Sequence, residues 1–172
     1  KISGPVAALT GRGLNIQAGP NTSFVGDASL TGLPDINNTY MDISAMPLKT
    51  TYADAVAFAP ALAKITNPDL KKLQYVNFSG NFTGFIKDFV TSGTIQTALG
   101  SVVADVNMKL PKGRGAVYSG NVSTSNFNLG ALLNDSKLGY VSMNTRLKGA
   151  GFNPEKGNIA LEAKIRYIDY NK

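Results

Sequence analysis

Alternating apolar and polar residues dominate the second half of the chain. In the segment 101–110 the apolar residues at alternate positions are Val102, Ala104, Val106, Met108 and Leu110. In the segment 159–168 they are Ile159, Leu161, Ala163, Ile165 and Tyr167. Successive side chains leave opposite faces of a β-strand, so both segments predict strands with one apolar and one polar face.

Shorter runs of the same alternation predict strands in residues 1–50. We expect a strand pair over 6–17 that is broken by a bend at 11–13. Further strands are expected over 23–32 and 39–45, separated by the Pro and Asp residues that are typical of turns.

The hydrophobic periodicity changes to that of a helix around 51–64. The apolar residues on one side of this helix are Tyr52, Ala55, Val56 and Ala59. Thr50 or Thr51 can cap its first turn, whereas Pro60 cannot continue a helix because it lacks the backbone N–H. We therefore predict two short helical segments that pack on the apolar face of the sheet.

Two phrases recur in the second half of the chain at a spacing of about 40 residues. FSGNF at 78–82 returns as YSGNV at 118–122, and LGSV at 99–102 returns as LGYV at 138–141. Repeats of this length indicate stacked supersecondary units. The predicted organisation is a single fragment, 1–172, with strands in 1–50, a helical excursion in 51–72, and two repeated strand units plus a final strand in 73–172.

Composition restricts the class of protein. Only 16% of the residues are charged, yet 43% are hydrophobic, which argues against a disordered chain. No apolar run reaches the ~18 residues that a membrane-spanning helix needs. Because the chain begins at Lys1 without a visible leader, we expect a fragment of a longer protein. The net charge of +6 comes from scattered cations, so no nucleic-acid partner is expected.

The residue types that catalysis needs are scarce. The chain has no His and no Cys, which removes the usual catalytic triads, the commonest metal ligand and every thiolate. It contains neither a phosphate-binding loop nor a nucleophile elbow. Asp105 and Glu162 fall on the polar faces of predicted strands, where we interpret them as surface charges. We expect no enzyme activity, no catalytic or metal-binding residues and no cofactor.

Several phrases resemble a known family. They lie at 30–35, 52–56 with 59–62, 78–84, 93–100, and 127–130 with 138–139. In order and spacing, from about Gly4 to Tyr170, they resemble the middle region of the TamB family. This family comprises the inner-membrane subunits of the translocation and assembly module, within the AsmA-like superfamily.

The resemblance implies a long periplasmic protein that is anchored to the inner membrane by one N-terminal helix outside this fragment. It also implies a β-groove and a C-terminal end, again outside this fragment, that meets an Omp85-type outer-membrane barrel. Such proteins are associated with phospholipid transport to the outer membrane and with the assembly of outer-membrane proteins. The family has no catalytic residues to carry over.

The apolar positions of the predicted strands would share one face. The candidate lipid-groove residues are Val76, Phe78, Phe82, Val102, Val106, Met108, Tyr118, Val122, Val141, Met143, Leu147, Ile159, Leu161 and Ile165. Leaving them wet costs roughly 1.5–3 kcal/mol per large side chain, and one short helix cannot cover them all. Apart from the hydroxyls of Tyr118 and Tyr167, the inward positions offer almost no hydrogen-bonding group, which suits ligands that are recognised by burial.

Three arrangements are compatible with this face: a dry two-layer sandwich, a sheet curled on itself with the helix as filler, and an open groove occupied by acyl chains. In each case we predict a mainly β fold with a twisted, curled, mostly antiparallel sheet and a helical segment around 51–64. The predicted function is a non-catalytic segment of an envelope-spanning hydrophobic groove, with phospholipid acyl chains as partners. The alternative is a cell-surface β-sandwich scaffold or adhesin, although the loops expected to carry its specificity, 112–115 and 153–157, are small and plain.

Overall fold

The computed structural model describes residues 1–58, 60–66, 68–112, 115–151 and 158–170. Its strands are β1 (Ile2–Ser3), β2 (Ala8–Gln17), β3 (Ser23–Thr31), β4 (Tyr40–Thr51), β5 (Tyr75–Phe85), β6 (Asp88–Thr97), β7 (Gly100–Lys109), β8 (Val117–Asn128), β9 (Leu138–Ala150) and β10 (Asn158–Tyr170). Its helices are α1 (Tyr52–Phe58) and α2 (Leu129–Leu133), with 3-10 helices at Ile36–Asn38, Pro60–Lys64 and Leu70–Leu73.

All ten strands form one sheet in the order in which they occur along the chain. Every neighbouring pair is antiparallel, and β1 and β10 are the two edges. The prediction of a mainly β, antiparallel fold is confirmed. Within the described ranges no second sheet packs on the first, so the residues that the structure describes do not form the two-layer sandwich that the sequence left open.

The segment predicted as a broken strand pair is the single strand β2. Its pairing with β3 shifts between Gly11 and Leu14, which is a bulge and not a chain reversal. Gly13 lies in this bulge with a φ of +56°, a left-handed conformation that glycine tolerates. Its N–H donates to the Asp27 carboxylate at 2.7 Å, so the two neighbouring strands remain joined at the irregularity.

β4 extends beyond its predicted end at Ala45 because a second bulge accommodates Pro47. The pairing of β4 with β5 passes from Ala45–Gly80 directly to Leu48–Phe78. Proline has no N–H to donate to a ladder and is tolerated where the pairing is irregular. The strand therefore continues to Thr51 and leads straight into α1.

The helices gather at one end of the strands, here called the capped end. α1 follows β4, α2 connects β8 with β9, and the 3-10 helix Leu70–Leu73 leads into β5. Backbone hydrogen bonds join these connections. Asp69 N donates to Leu132 O at 2.8 Å, and Ala98 N donates to Leu73 O at 3.1 Å. The result is a helical cap that runs across one end of the sheet.

The predicted helical segments around 51–64 are confirmed, since α1 ends at Phe58 and a 3-10 helix begins at Pro60. Of the two candidate caps, Thr51 is the one used: its Oγ1 accepts from Asp54 N at 3.2 Å. Ala59, the last residue of the predicted apolar stripe, lies outside the described residues.

The Asp54 carboxylate fastens α1 to the sheet. The residue is only 8% exposed, and its Oδ2 atom accepts from Asn21 N at 3.0 Å and from Thr22 Oγ1 at 2.9 Å. Both donors lie in the connection between β2 and β3. One buried carboxylate therefore ties the start of the helical cap to the turn beside it.

The two sequence echoes fall on different strand steps. FSGNF and YSGNV lie in β5 and β8, which are three strands apart, whereas LGSV and LGYV begin near the starts of β7 and β9, two strands apart. In addition, α2 separates β8 from β9, while short turns separate β5, β6 and β7. The two repeated phrases therefore do not mark a structural unit of constant size. They occur in strands that share the same alternation of apolar and polar residues.

Candidate functional site: the inner face of the sheet

Strand register assigns every paired residue to a face, because directly paired residues of antiparallel strands project to the same side. Met108, for example, pairs with Phe89 on β6 and with Tyr118 on β8. Followed from strand to strand, the register places all the candidate groove residues on one side, here called the inner face: Val76, Phe78, Phe82, Val102, Val106, Met108, Tyr118, Val122, Val141, Met143, Leu147, Ile159, Leu161 and Ile165.

The inner face also contains apolar residues that the sequence prediction did not assign to the groove. They are Leu9, Leu14, Ile16, Phe24, Leu30, Met41, Ile43, Leu48, Phe89, Ile95, Phe127 and Ile168. No residue of β6 was assigned to the predicted groove, because Thr91 and Gly93 interrupt the apolar alternation between Phe89 and Ile95. The position of β6 between two assigned strands, β5 and β7, is the signal that would have included it.

β10 departs from the predicted alternation after Ile165. Its pairing with β9 shifts there, so that Tyr167 opposes Ser142 and Ile168 opposes Val141. Because Val141 lies on the inner face, Ile168 lies there too and Tyr167 lies on the other side. The predicted orientation of these two residues is wrong, since a bulge of one residue reverses the side-chain alternation beyond it.

A row of mostly small residues crosses the inner face from β3 to β10. Its successively paired members are Gly26, Ala45, Gly80, Gly93, Ala104, Val122, Thr145 and Ala163. A β-carbon added at Gly93 would lie 2.4 Å from Ser79 O and 2.8 Å from a ring carbon of Phe78, so no side chain fits there. Larger side chains flank the row, which makes it a shallow floor across the sheet.

Exposure varies strongly over the inner face. At the capped end Val141 is 2% exposed and Phe127 4%. On the last strand Ile159, Leu161 and Ile165 are 45%, 59% and 51% exposed. Most of the side chains between these extremes are half-buried although no second sheet covers them in the described ranges, which is expected of a sheet that curls over its apolar side. The inner face is covered at one end and open elsewhere.

An apolar cavity of about 220 Å³ lies at the capped end, between α2 and the inner face. Leu129 and Leu132 of α2 face side chains of β7, β8 and β9 across it. The polar residue in its lining, Thr124, is already satisfied: its hydroxyl donates to Val141 O at 3.1 Å and accepts from Met143 N at 3.2 Å. The cavity therefore offers dispersion contacts without orienting a polar ligand.

The inner face carries more hydroxyl groups than the sequence prediction allowed. Besides Tyr118, the register places on it Thr91, Thr97, Thr124 and Thr145. Most of these hydroxyls bond the backbone; that of Tyr118, for example, donates to Gly151 O at 3.1 Å. Thr145 is 4% exposed, and its hydroxyl has no hydrogen-bond partner among the described residues. The face remains apolar in character because its hydroxyls are mostly turned to the main chain.

The opposite, outer face is polar along its middle but also carries exposed apolar side chains, among them Val90, Val103 and Val117. One row across it consists of Ser44, Asn81, Ser92, Asp105, Asn121, Arg146 and Glu162. Asp105 and Glu162 are exposed there, in agreement with their interpretation as surface charges. An ion pair joins Lys109 Nζ to Asp88 Oδ2 at 3.0 Å, and its exposure limits its contribution to at most about 1 kcal/mol.

In the part of the chain that the structure describes, the Asp and Glu side chains form no group of three or more that could hold a metal ion. None of the described helices is long and apolar enough to span a membrane. Loop residues 113–114 and 153–157, on which the adhesin alternative depends, lie outside the described ranges.

Comparisons with protein-family models, with curated proteins and with solved structures find no match. The membership of the TamB family therefore stays a prediction from the sequence. Any functional interpretation depends on the geometry of the inner face.

Proposed function

We propose that this chain is a non-catalytic segment of a hydrophobic β-groove in the cell envelope, and that its inner face binds phospholipid acyl chains on their way to the outer membrane. The observation that supports this most strongly is an apolar face that continues over ten strands without a second layer in the described ranges. Exposed apolar surfaces of this extent mark interaction sites in soluble proteins.

The chemistry of the inner face suits acyl chains better than ligands with polar groups. Its hydroxyls mostly bond the backbone, so binding energy must come from burial, at about 0.8 kcal/mol per methylene. The described residues that strand register assigns to this face include no charged side chain, so a charged headgroup would remain in water at the open side. A face that binds acyl chains only by burying them accepts chains of different length and saturation, as a lipid conduit requires.

The direction of the rows provides a path along the groove. Each row runs across the strands, and the strands present the same apolar character from β2 to β10. At about 4.8 Å per strand the path is roughly 40 Å long. A chain that lies along the floor can slide from strand to strand without leaving apolar contact.

The sequence resemblance extends this proposal beyond the fragment. It adds a periplasmic location, an inner-membrane anchor, an Omp85-type barrel as partner of the full-length protein, and a role in the assembly of outer-membrane proteins. These points depend on the resemblance and on no contact within the sheet.

The experiment places a charge in the path of the acyl chain. Met108→Lys or Val106→Asp, in the full-length protein, should leave folded protein in the envelope while outer-membrane integrity is lost, because acyl chains cannot solvate a buried charge. The matched control is Asn107→Lys, on the exposed outer face of the same strand, which should be neutral.

Two readings decide between the outcomes: the amount of folded protein and the permeability of the outer membrane. Folded, abundant Met108→Lys protein that supports an intact outer membrane would rule out lipid passage through this segment. Loss of the protein itself would show that the face is a packed core and would also contradict the proposal.

A further inference from the structure

The cavity beneath α2 is a shielded compartment at the side of the inner face. Its lining combines Leu129 and Leu132 of α2 with residues of β7, β8 and β9. Three of the strand residues, Thr124, Phe127 and Val141, are at most 6% exposed, although the inner face is open elsewhere. An apolar group that enters the cavity is therefore removed from water more completely than one that lies on the open part of the face.

The cavity is continuous with the inner face. Val122 belongs to the row of small residues that forms the floor, and it also lines the cavity. Two further lining residues, Val102 and Met143, are paired with Ile95 on β6 and with Ile165 on β10. An acyl chain can therefore pass from the floor into the cavity without leaving apolar contact.

The wall that α2 provides is held in place by the main chain. Asn128 N donates to Leu99 O at 2.7 Å just before the helix begins, and Leu132 O accepts from Asp69 N at 2.8 Å near its end. Gly130 lies so close to β9 that an added β-carbon would collide with the backbone at the start of that strand. The cavity is thus pre-formed, as sites for apolar ligands usually are.

The volume of the cavity, about 220 Å³, limits what it can hold. Sites that enclose a whole drug-sized ligand begin at roughly 300 Å³. Because an apolar cavity of about 150 Å³ holds the six carbons of benzene, this cavity holds about nine carbons, which is the end of one acyl chain and not a whole phospholipid.

The chemistry of the lining favours a methyl end over a polar end. Thr124 is the one polar residue of the lining, and its hydroxyl already donates to Val141 O and accepts from Met143 N. A buried water molecule needs about two to four polar partners. Water and a polar chain end are therefore both disfavoured in the cavity, whereas a hydrocarbon end gains dispersion contacts on all sides.

We propose that the cavity beneath α2 binds the terminal methyl end of a single acyl chain. This inference rests on the proposed function, because the chain reaches the cavity along the inner face. The headgroup end of the chain then lies away from α2, towards the open part of the face. The floor holds a chain anywhere along its length, whereas the cavity holds it by its end and so defines a stopping point in the groove.

Isotope-filtered NMR of the 172-residue chain with palmitate locates the chain end. Palmitate with carbon-13 in its terminal methyl should show nuclear Overhauser contacts to the methyl groups of Leu129 and Leu132. Palmitate labelled beside the carboxylate should show none to them. Binding of palmitate without contacts from its terminal methyl would overturn this inference and leave the proposed function standing, whereas no binding of palmitate would contradict both.

A polar chain end tests the same point in a binding titration. ω-Hydroxypalmitate carries a hydroxyl where palmitate ends in a methyl group. Its Kd should be about tenfold higher or more, because burying a hydroxyl without a hydrogen bond is unfavourable. Equal affinity of the two fatty acids would show that the chain end stays outside the cavity, and would overturn the inference.

Leu132→Trp fills the cavity from α2, and Leu133→Trp is the matched control, since Leu133 lies on the same helix but outside the lining and is 40% exposed. Leu132→Trp should raise the Kd of palmitate about tenfold, the factor that the loss of about two buried methylenes produces. It should also abolish the preference for palmitate over ω-hydroxypalmitate, whereas Leu133→Trp should keep both the affinity and the preference.

Circular dichroism verifies that each variant is folded, and Leu129→Phe fills the cavity in place of Leu132→Trp if that variant does not fold. A folded variant with a filled cavity that retains both the affinity for palmitate and the preference over ω-hydroxypalmitate would overturn the inference.

Discussion

Asp54 provides a sharp test of how the helical cap is held. Its Oδ2 atom accepts two hydrogen bonds, from Asn21 N and Thr22 Oγ1, in a site where the residue is 8% exposed. Asp54→Ala removes both. Hydrogen bonds to charged groups contribute about 1.5–3 kcal/mol each, and relief of the buried charge offsets part of that.

The expected loss for Asp54→Ala is therefore about 3 kcal/mol in the free energy of unfolding. For a chain of this length, 1 kcal/mol shifts Tm by about 2–4 °C, so the loss corresponds to roughly 6–12 °C. Asp54→Asn should cost only about 1 kcal/mol, since an amide oxygen in the place of Oδ2 can still accept both bonds. Urea unfolding followed by circular dichroism measures both values.

Asp42→Ala is the matched control. Asp42 is exposed and accepts a single bond of 3.2 Å, from Thr83 Oγ1, so its loss should change stability by less than about 0.5 kcal/mol. If the free energy of unfolding of Asp54→Ala lies within that same margin of the unchanged chain, the helical cap does not depend on the carboxylate.

Two further stability changes follow from the inner face. Gly93→Ala should destabilise by about 1–3 kcal/mol, because its β-carbon meets backbone atoms of β5, whereas Ser92→Ala beside it should be nearly neutral; urea unfolding compares the two. Thr145→Val should stabilise by about 1 kcal/mol in the same assay, since it removes a buried hydroxyl that has no partner among the described residues; a loss of stability would reveal an unseen partner.

Alternation was sufficient to predict most of the strands and the face to which most of their side chains belong. It works because a sheet with one apolar face fixes its own register: a slip of one residue would expose every apolar side chain. For this reason residues as distant as Phe78 and Ile165 could be assigned to one face from sequence, and the register agrees.

Bulges limited what the sequence could show. The irregularities at Gly13, Pro47 and Arg166 each shift the strand register locally. The alternation of apolar and polar residues does not predict such shifts. The bulge at Arg166 places Ile168 on the inner face and Tyr167 on the outer face, the reverse of the prediction. A single bulged residue is enough to reverse a prediction for everything beyond it.

α2 was missed although the sequence carries its signals. Asn128 caps its start by accepting from Ala131 N at 2.9 Å, and Asn134 ends it in a left-handed conformation. Five residues are too few for helical periodicity to appear, so the pair of asparagines was the only available signal. The apolar cavity depends on this helix and could not be anticipated without it.

The contact between the inner face and an acyl chain can be measured with a single tryptophan, because the chain has no native Trp. Phe82→Trp places the reporter on the inner face, where Phe82 stacks on Phe89 with ring centroids 4.8 Å apart. Asn81→Trp places it on the exposed outer face of the same strand. A dibrominated fatty acid quenches tryptophan on contact. We expect saturable quenching of Phe82→Trp and none of Asn81→Trp; equal quenching of both, or of neither, would contradict an acyl-chain groove.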